Sequence, residues 1–81
     1  MAKAKNYDAM VRVNFTWQNE HGDERSNWVT NIGTWLSNDP DGLPQYIAEN
    51  HVRLEPVNGE EIHRIIHAEI VSYTLEEAID V

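Results

Sequence analysis

The chain contains no cysteine. Disulfide staples, thiolate nucleophiles and sulfur-built zinc sites are therefore outside its chemistry. An unstapled domain of this size points to a reducing, cytoplasmic setting. The chain also lacks any apolar run near the ~20 residues that a membrane span needs. Lys3 and Lys5 near the start are followed by no apolar stretch of the kind a secretory signal carries. Glycine is sparse, four residues scattered singly, so no phosphate-cradling loop can be written from them. Basic residues are the last shortage: six Lys and Arg stand against 14 Asp and Glu, for a formal net charge of −8. Such a surface repels nucleic acid and anionic membranes and attracts partners of the opposite charge.

What is present describes a folded domain. The length of 81 residues suits one modest core, and 41% apolar with 25% charged residues is a globular composition. Large clefts with several buried catalytic groups are hard to build on so small a core, whereas a shallow binding surface is not. The charge is uneven along the chain. Lys3, Lys5 and Arg12 outnumber Asp8 in the first eighteen residues, but from residue 38 onward ten acids face only Arg53 and Arg64.

Residues 1–6 read as a flexible arm and 7–81 as a single α+β domain. From Tyr7 the pattern alternates, with Ala9, Val11, Val13, Phe15 and Trp17 on one side, which predicts a half-buried strand. A polar stretch around Gly22 predicts a hairpin turn, and Ser26–Ile32 the return strand. With His21 and Gly22 as a two-residue loop, Phe15 faces Trp28, Trp17 faces Ser26 and Val11 faces Ile32. Thr34–Ser37 fits either a helical turn or more strand. The cluster Asn38-Asp39-Pro40-Asp41-Gly42 is a turn, and Leu43–Asn50 a short helix with Pro44 in its first turn and Leu43, Tyr46 and Ile47 on one face.

Val52–Val57 reads as an edge strand interrupted by Pro56, entering a type I′ turn at Asn58-Gly59. The run from Ile62 to Leu75 fits two periods. As a helix it carries a capping box and an isoleucine stripe. Its dense Ile, Val, Tyr and Thr content over residues 65–74 favours a strand. Glu76–Ile79 is expected to make a final helical turn. The resulting fold class is α+β: a mainly antiparallel four-stranded sheet with one short helix, in the order ββαββ.

No motif places a nucleophile, base and acid together, and no cofactor is implied. His63 and His67 could chelate a metal only on a helix, because four residues of strand separate them by about 13 Å. The stretch Ser37–Gly42 resembles half of a calcium loop, but Ser37 and Ala48 stand where acids are required. Expected are no enzyme activity, no metal and no cofactor.

Three tryptophans in so short a chain, Trp17, Trp28 and Trp35, crowd the core. Trp28 and Trp17 suit sheet packing, which leaves Trp35 as the indole expected at a binding surface. The expected partner-binding set is Trp35, Asp39, Asp41, Glu49, Glu55, Glu60, Glu61 and Glu69. The expected function is stoichiometric binding to a protein with a basic surface, without direct binding to nucleic acid or membrane. Its sharper form is an inhibitor that imitates phosphate charge and fills the groove of a nuclease or CRISPR effector. Small acidic phage-encoded proteins act in this manner, and the analogy is one of size and charge alone. The alternative is a homo-oligomeric accessory protein, a homodimer in its simplest form.

Overall fold

A computed structural model describes residues 3–79. It contains β1 (Lys5–Asn19), β2 (Glu24–Ser37), a 3-10 turn over Pro40–Gly42, α1 (Leu43–Asn50) and β3 (Ile62–Glu77). The strands form one antiparallel sheet in the spatial order β2-β1-β3. The domain is α+β, but among the described residues it has three strands in the order ββαβ rather than four in the order ββαββ. Its strands are long, and the molecule measures 50 × 24 × 16 Å.

β1 follows its alternation. Ala9, Val11, Val13, Phe15 and Trp17 are buried and join Leu43, Ile47 and Val52 in one core cluster. β1 starts at Lys5, inside the segment expected to be an arm; Met1 and Ala2 lie outside the described residues. α1 has the expected bounds. Leu43, Pro44 and Ile47 are its buried residues, whereas Tyr46 is half exposed and not part of the core.

The hairpin corrects the expected register. β1 and β2 pair Phe15 with Asn27 and Asn14 with Trp28, so Phe15 and Trp28 lie on opposite faces of the sheet. The cause is the turn. Asn19 N–H donates to the Asp23 carbonyl at 3.0 Å and Gly22 N–H to the Asn19 carbonyl at 3.1 Å, enclosing Glu20, His21 and Gly22. Gly22, at φ 83, takes the left-handed position of this three-residue loop. β2 then runs on through Trp35 to Ser37 as strand.

The fourth strand does not form. Val52 N–H donates to the Ile47 carbonyl at 3.2 Å, which carries the chain over the sheet from the end of α1. Val52 is buried there, and Leu54 and Val57 pack against the same cluster. Pro56 offers no donor for a ladder. The turn at Asn58-Gly59 does form, with φ 53 and 76 and an isolated bridge between Val57 and Glu60.

Residues 62–77 are strand, as their β-branched and aromatic content implies, and they continue to Glu77 instead of ending in a helical turn. β3 pairs with β1 through three register shifts. Each leaves one β3 residue without a partner across the ladder: Val71, Ile66 and His63.

Candidate protein-interaction surfaces

Where β2 runs into the 3-10 turn, the helix side of the sheet opens into a cleft of about 400 Å³ lined by Trp35, Ser37, Asp39, Leu43 and Tyr46. Trp35 is half buried and lies flat over Gly33; a Cβ at Gly33 would stand 3.0 Å from its six-membered ring. The His51 ring packs edge-on to both aromatics, with centroids 5.7 Å from Trp35 and 5.5 Å from Tyr46. Asp39 caps the 3-10 turn, its Oδ1 accepting from Gly42 N–H at 3.4 Å, while Ser37 Oγ accepts from Asp39 N–H at 3.0 Å. An aromatic wall with an exposed carboxylate at its rim can receive a lysine or arginine side chain, through cation–π attraction and a charge-assisted hydrogen bond.

The other expected site residues are dispersed. Asp41 is exposed in the 3-10 turn beside the cleft. Glu49 is exposed on α1 and accepts from Gln45 Nε2 at 2.9 Å. A second groove of about 320 Å³, between α1 and β3, has both Glu49 and Glu69 along it. The Glu69 carboxylate stands 3.6 Å from His67 Nε2. Glu55 and Glu61 are exposed on the segment before β3. Trp35 and Asp39 therefore meet in one cleft, Glu49 and Glu69 border another, and the remaining acids join neither.

Glu60 is engaged within the fold. Its Oε2 accepts from Arg25 Nε at 3.1 Å, and its Oε1 accepts from Arg25 Nη2 at 3.1 Å and from Asn19 Nδ2 at 3.0 Å. The hydrogen bonds from Arg25 and then Asn19 hold the Glu60 carboxyl below its ordinary pKa, and the bond to Glu60 raises that of Arg25. A depressed carboxyl stabilises the fold fully above its unfolded pKa, and loses that contribution as pH falls through the folded one. Glu60→Gln is thus expected to lower the urea midpoint at neutral pH, with the gap from wild type closing once pH drops below the ordinary carboxylate range. A gap of constant size across that titration would show that the charge on Glu60 has no part in it.

The face of the sheet away from α1 is bare among the described residues. Trp28, Ile32 and Leu36 form a row along β2, exposed at 65%, 74% and 68%. The Arg12 guanidinium lies 5.5 Å from the Trp28 ring centroid, and its Nε donates to Thr30 Oγ1 at 3.2 Å. Ser26 Oγ donates to Asn14 Oδ1 at 2.9 Å, and Thr34 Oγ1 to Asp8 Oδ1 at 2.7 Å. These cross-strand bonds hold the face as a fixed surface. Trp28, expected in the packed interior, is the exposed indole, and the shifted hairpin register is what turns it outward.

His63 and His67 lie on strand β3, without the helical spacing that chelation requires. Among the described residues no group of three His, Cys, Asp or Glu could hold a metal ion, and no helix is long and apolar enough to cross a membrane. No protein-family model, curated protein or solved structure matches the chain.

Proposed function

We propose that this chain is a stoichiometric protein-binding module that docks on a basic surface of its partner and performs no reaction of its own. The observation that carries this reading is the cleft in which Trp35 and Tyr46 stand beside Asp39. A net charge of −8 steers a basic partner toward the chain. The aromatic cleft then anchors one of its cationic side chains. In its sharper form the partner's basic surface is a nucleic-acid groove, as in a nuclease or CRISPR effector, and the chain acts as its inhibitor. The exposed carboxylates of Asp41, Glu49, Glu55, Glu61 and Glu69 supply the repelling and mimicking charge, while Glu60 is held by Arg25.

The test is capture of partners from a lysate of the source cells at low and moderate salt, followed by titration of the recovered protein. Affinity is expected to fall steeply as salt rises. Trp35→Ala is expected to weaken binding by about 30-fold, the scale of an aromatic hot spot. A complex indifferent to both salt and Trp35→Ala would end this reading.

A second reading, a self-assembling accessory protein, is favoured by one feature of the sheet: β2 and β3 are both outer strands, with no further strand beside either among the described residues. Molar mass in solution separates the two readings, since self-assembly requires more than a monomer at micromolar concentration.

A further inference from the structure

The two outer strands are not alike. β3 has three register shifts against β1, and it carries Arg64, Glu69, Glu76 and Glu77. Bulges and charges are the means by which an edge strand is kept from pairing with another chain. β2 has none of them over most of its length. Its pairing with β1 is unbroken from Lys5–Ser37 to Gln18–Glu24, and Ser26–Ser37 contains no proline and no charged residue. α1 packs mainly on β1 and β3. Its C-cap, His51, reaches β2 only on the helix side, where its carbonyl accepts from Asn31 Nδ2 at 2.8 Å and its ring meets Trp35. Among the described residues no backbone bond from a loop or helix occupies the outer edge of Trp28–Leu36.

The hairpin decides which groups that rim presents. Asn19 N–H bonds to the Asp23 carbonyl, and antiparallel pairing alternates from there. The odd residues of β2 exchange hydrogen bonds with β1. The even ones, Trp28, Thr30, Ile32, Thr34 and Leu36, turn N–H and C=O outward. An antiparallel strand can dock only with its own outward groups opposite these, so even residues must meet even residues.

Among the registers this permits, the stretch Trp28–Leu36 is self-complementary about Ile32. With Ile32 on a two-fold axis, Ile32 meets its own copy, Trp28 meets Leu36 of the second copy, and Thr30 meets Thr34 of the second copy. On the helix side Val29 meets Trp35 of the second copy. The apolar row exposed on the bare face thus pairs apolar with apolar and hydroxyl with hydroxyl. Centring on Asn31 or Gly33 sets apolar residues against threonines, and centring on Thr30 sets Leu36 against Glu24. Charge permits the contact as well: the paired segment is neutral in a chain of net charge −8, so the like charges of two copies lie away from it.

We propose that the partner of the β2 edge is a second copy of this chain, joined antiparallel about Ile32 into a continuous six-stranded sheet with about ten new backbone hydrogen bonds. The proposal rests on the self-assembly reading and specifies its surface.

The test uses the full chain. Light scattering is expected to give a dimer at micromolar concentration. Ile32→Lys, at an exposed position, is expected to give a monomer with an unchanged circular dichroism spectrum. Mixing it with Ile32→Glu is expected to restore the dimer, because the two positions face each other. With no native cysteine, Ile32→Cys is expected to crosslink under mild oxidation, since directly opposed residues lie about 5.5 Å apart between Cα atoms. Thr30→Cys, about 13 Å from its copy, is expected not to. A monomeric wild type would overturn both the proposal and the self-assembly reading. A dimer untouched by Ile32→Lys would overturn the edge alone, and crosslinking through Thr30→Cys in place of Ile32→Cys would overturn the register.

Discussion

Trp17→Ala is expected to leave the domain largely unfolded near physiological temperature. Trp17 is 1% exposed and sits at the end of the buried row of β1. Its Nε1 donates to Asn27 Oδ1 at 2.8 Å, which ties β1 to β2 on the core side. Truncating a buried tryptophan to alanine costs about 3–5 kcal/mol. An unstapled domain with one short helix covering part of a long sheet stands at the low end of the roughly 5–15 kcal/mol that holds native proteins together. The loss is therefore comparable to the whole. Urea unfolding followed by circular dichroism measures it, with the fluorescence of Trp28 and Trp35 as a second probe. Trp17→Phe, which keeps most of the apolar bulk and loses only the indole donor, is expected to remain folded with a lower midpoint. An unchanged midpoint for Trp17→Ala would place the centre of stability under α1, around Ile47.

Period-two alternation made β1 legible because one face is buried from Ala9 to Asn19. α1 was legible from its punctuation, with Pro44 in the first turn and a turn cluster before it. β3 was legible through residue type rather than period, since its bulges and its exposed edge position scramble the alternation. Two readings failed for one reason, that local pattern does not say what the pattern packs against. Val52, Leu54 and Val57 look like strand residues, yet they serve to pin a loop onto the core. Trp28 looks like core, yet one extra residue in the turn sends it to the bare face.

The candidate surfaces were legible in the same partial way. Trp35 and Asp39 were expected at a binding surface, and the fold brings them to one cleft because β2 continues through Trp35 into the turn. Glu60 was grouped with the free acids on charge alone. Its capture by Arg25 depends on the Asn58-Gly59 turn bringing it back beside the hairpin, a contact 35 residues distant in sequence. The self-complementary stretch about Ile32 was present in the residues from the start. Only the hairpin register shows that its even members face outward.

Asn19→Ala is expected to cost about 2–4 kcal/mol, more than any other single polar truncation in the chain, because three hydrogen bonds converge on one buried amide. Its Oδ1 accepts from His21 N–H at 2.9 Å and from Asp23 N–H at 3.0 Å, holding the three-residue turn. Its Nδ2 donates to Glu60, linking that turn to the segment before β3. Asn19 is 1% exposed, so water cannot replace these partners freely. Asn19→Asp separates the two halves of the role. It keeps an acceptor for the turn amides but sets a carboxylate against that of Glu60. At neutral pH it is expected to be destabilised much as Asn19→Ala is. As pH falls, a proton shared between the two carboxyls relieves the repulsion, because a carboxyl whose folded pKa is raised destabilises the fold at high pH and ceases to in acid. Asn19→Asp should therefore gain stability relative to wild type across the carboxylate range, the reverse of the wild-type trend set by Glu60. Urea midpoints at matched pH values read the difference. Parallel curves for Asn19→Asp and wild type would mean that the amide supports the turn alone and that its bond to Glu60 contributes nothing.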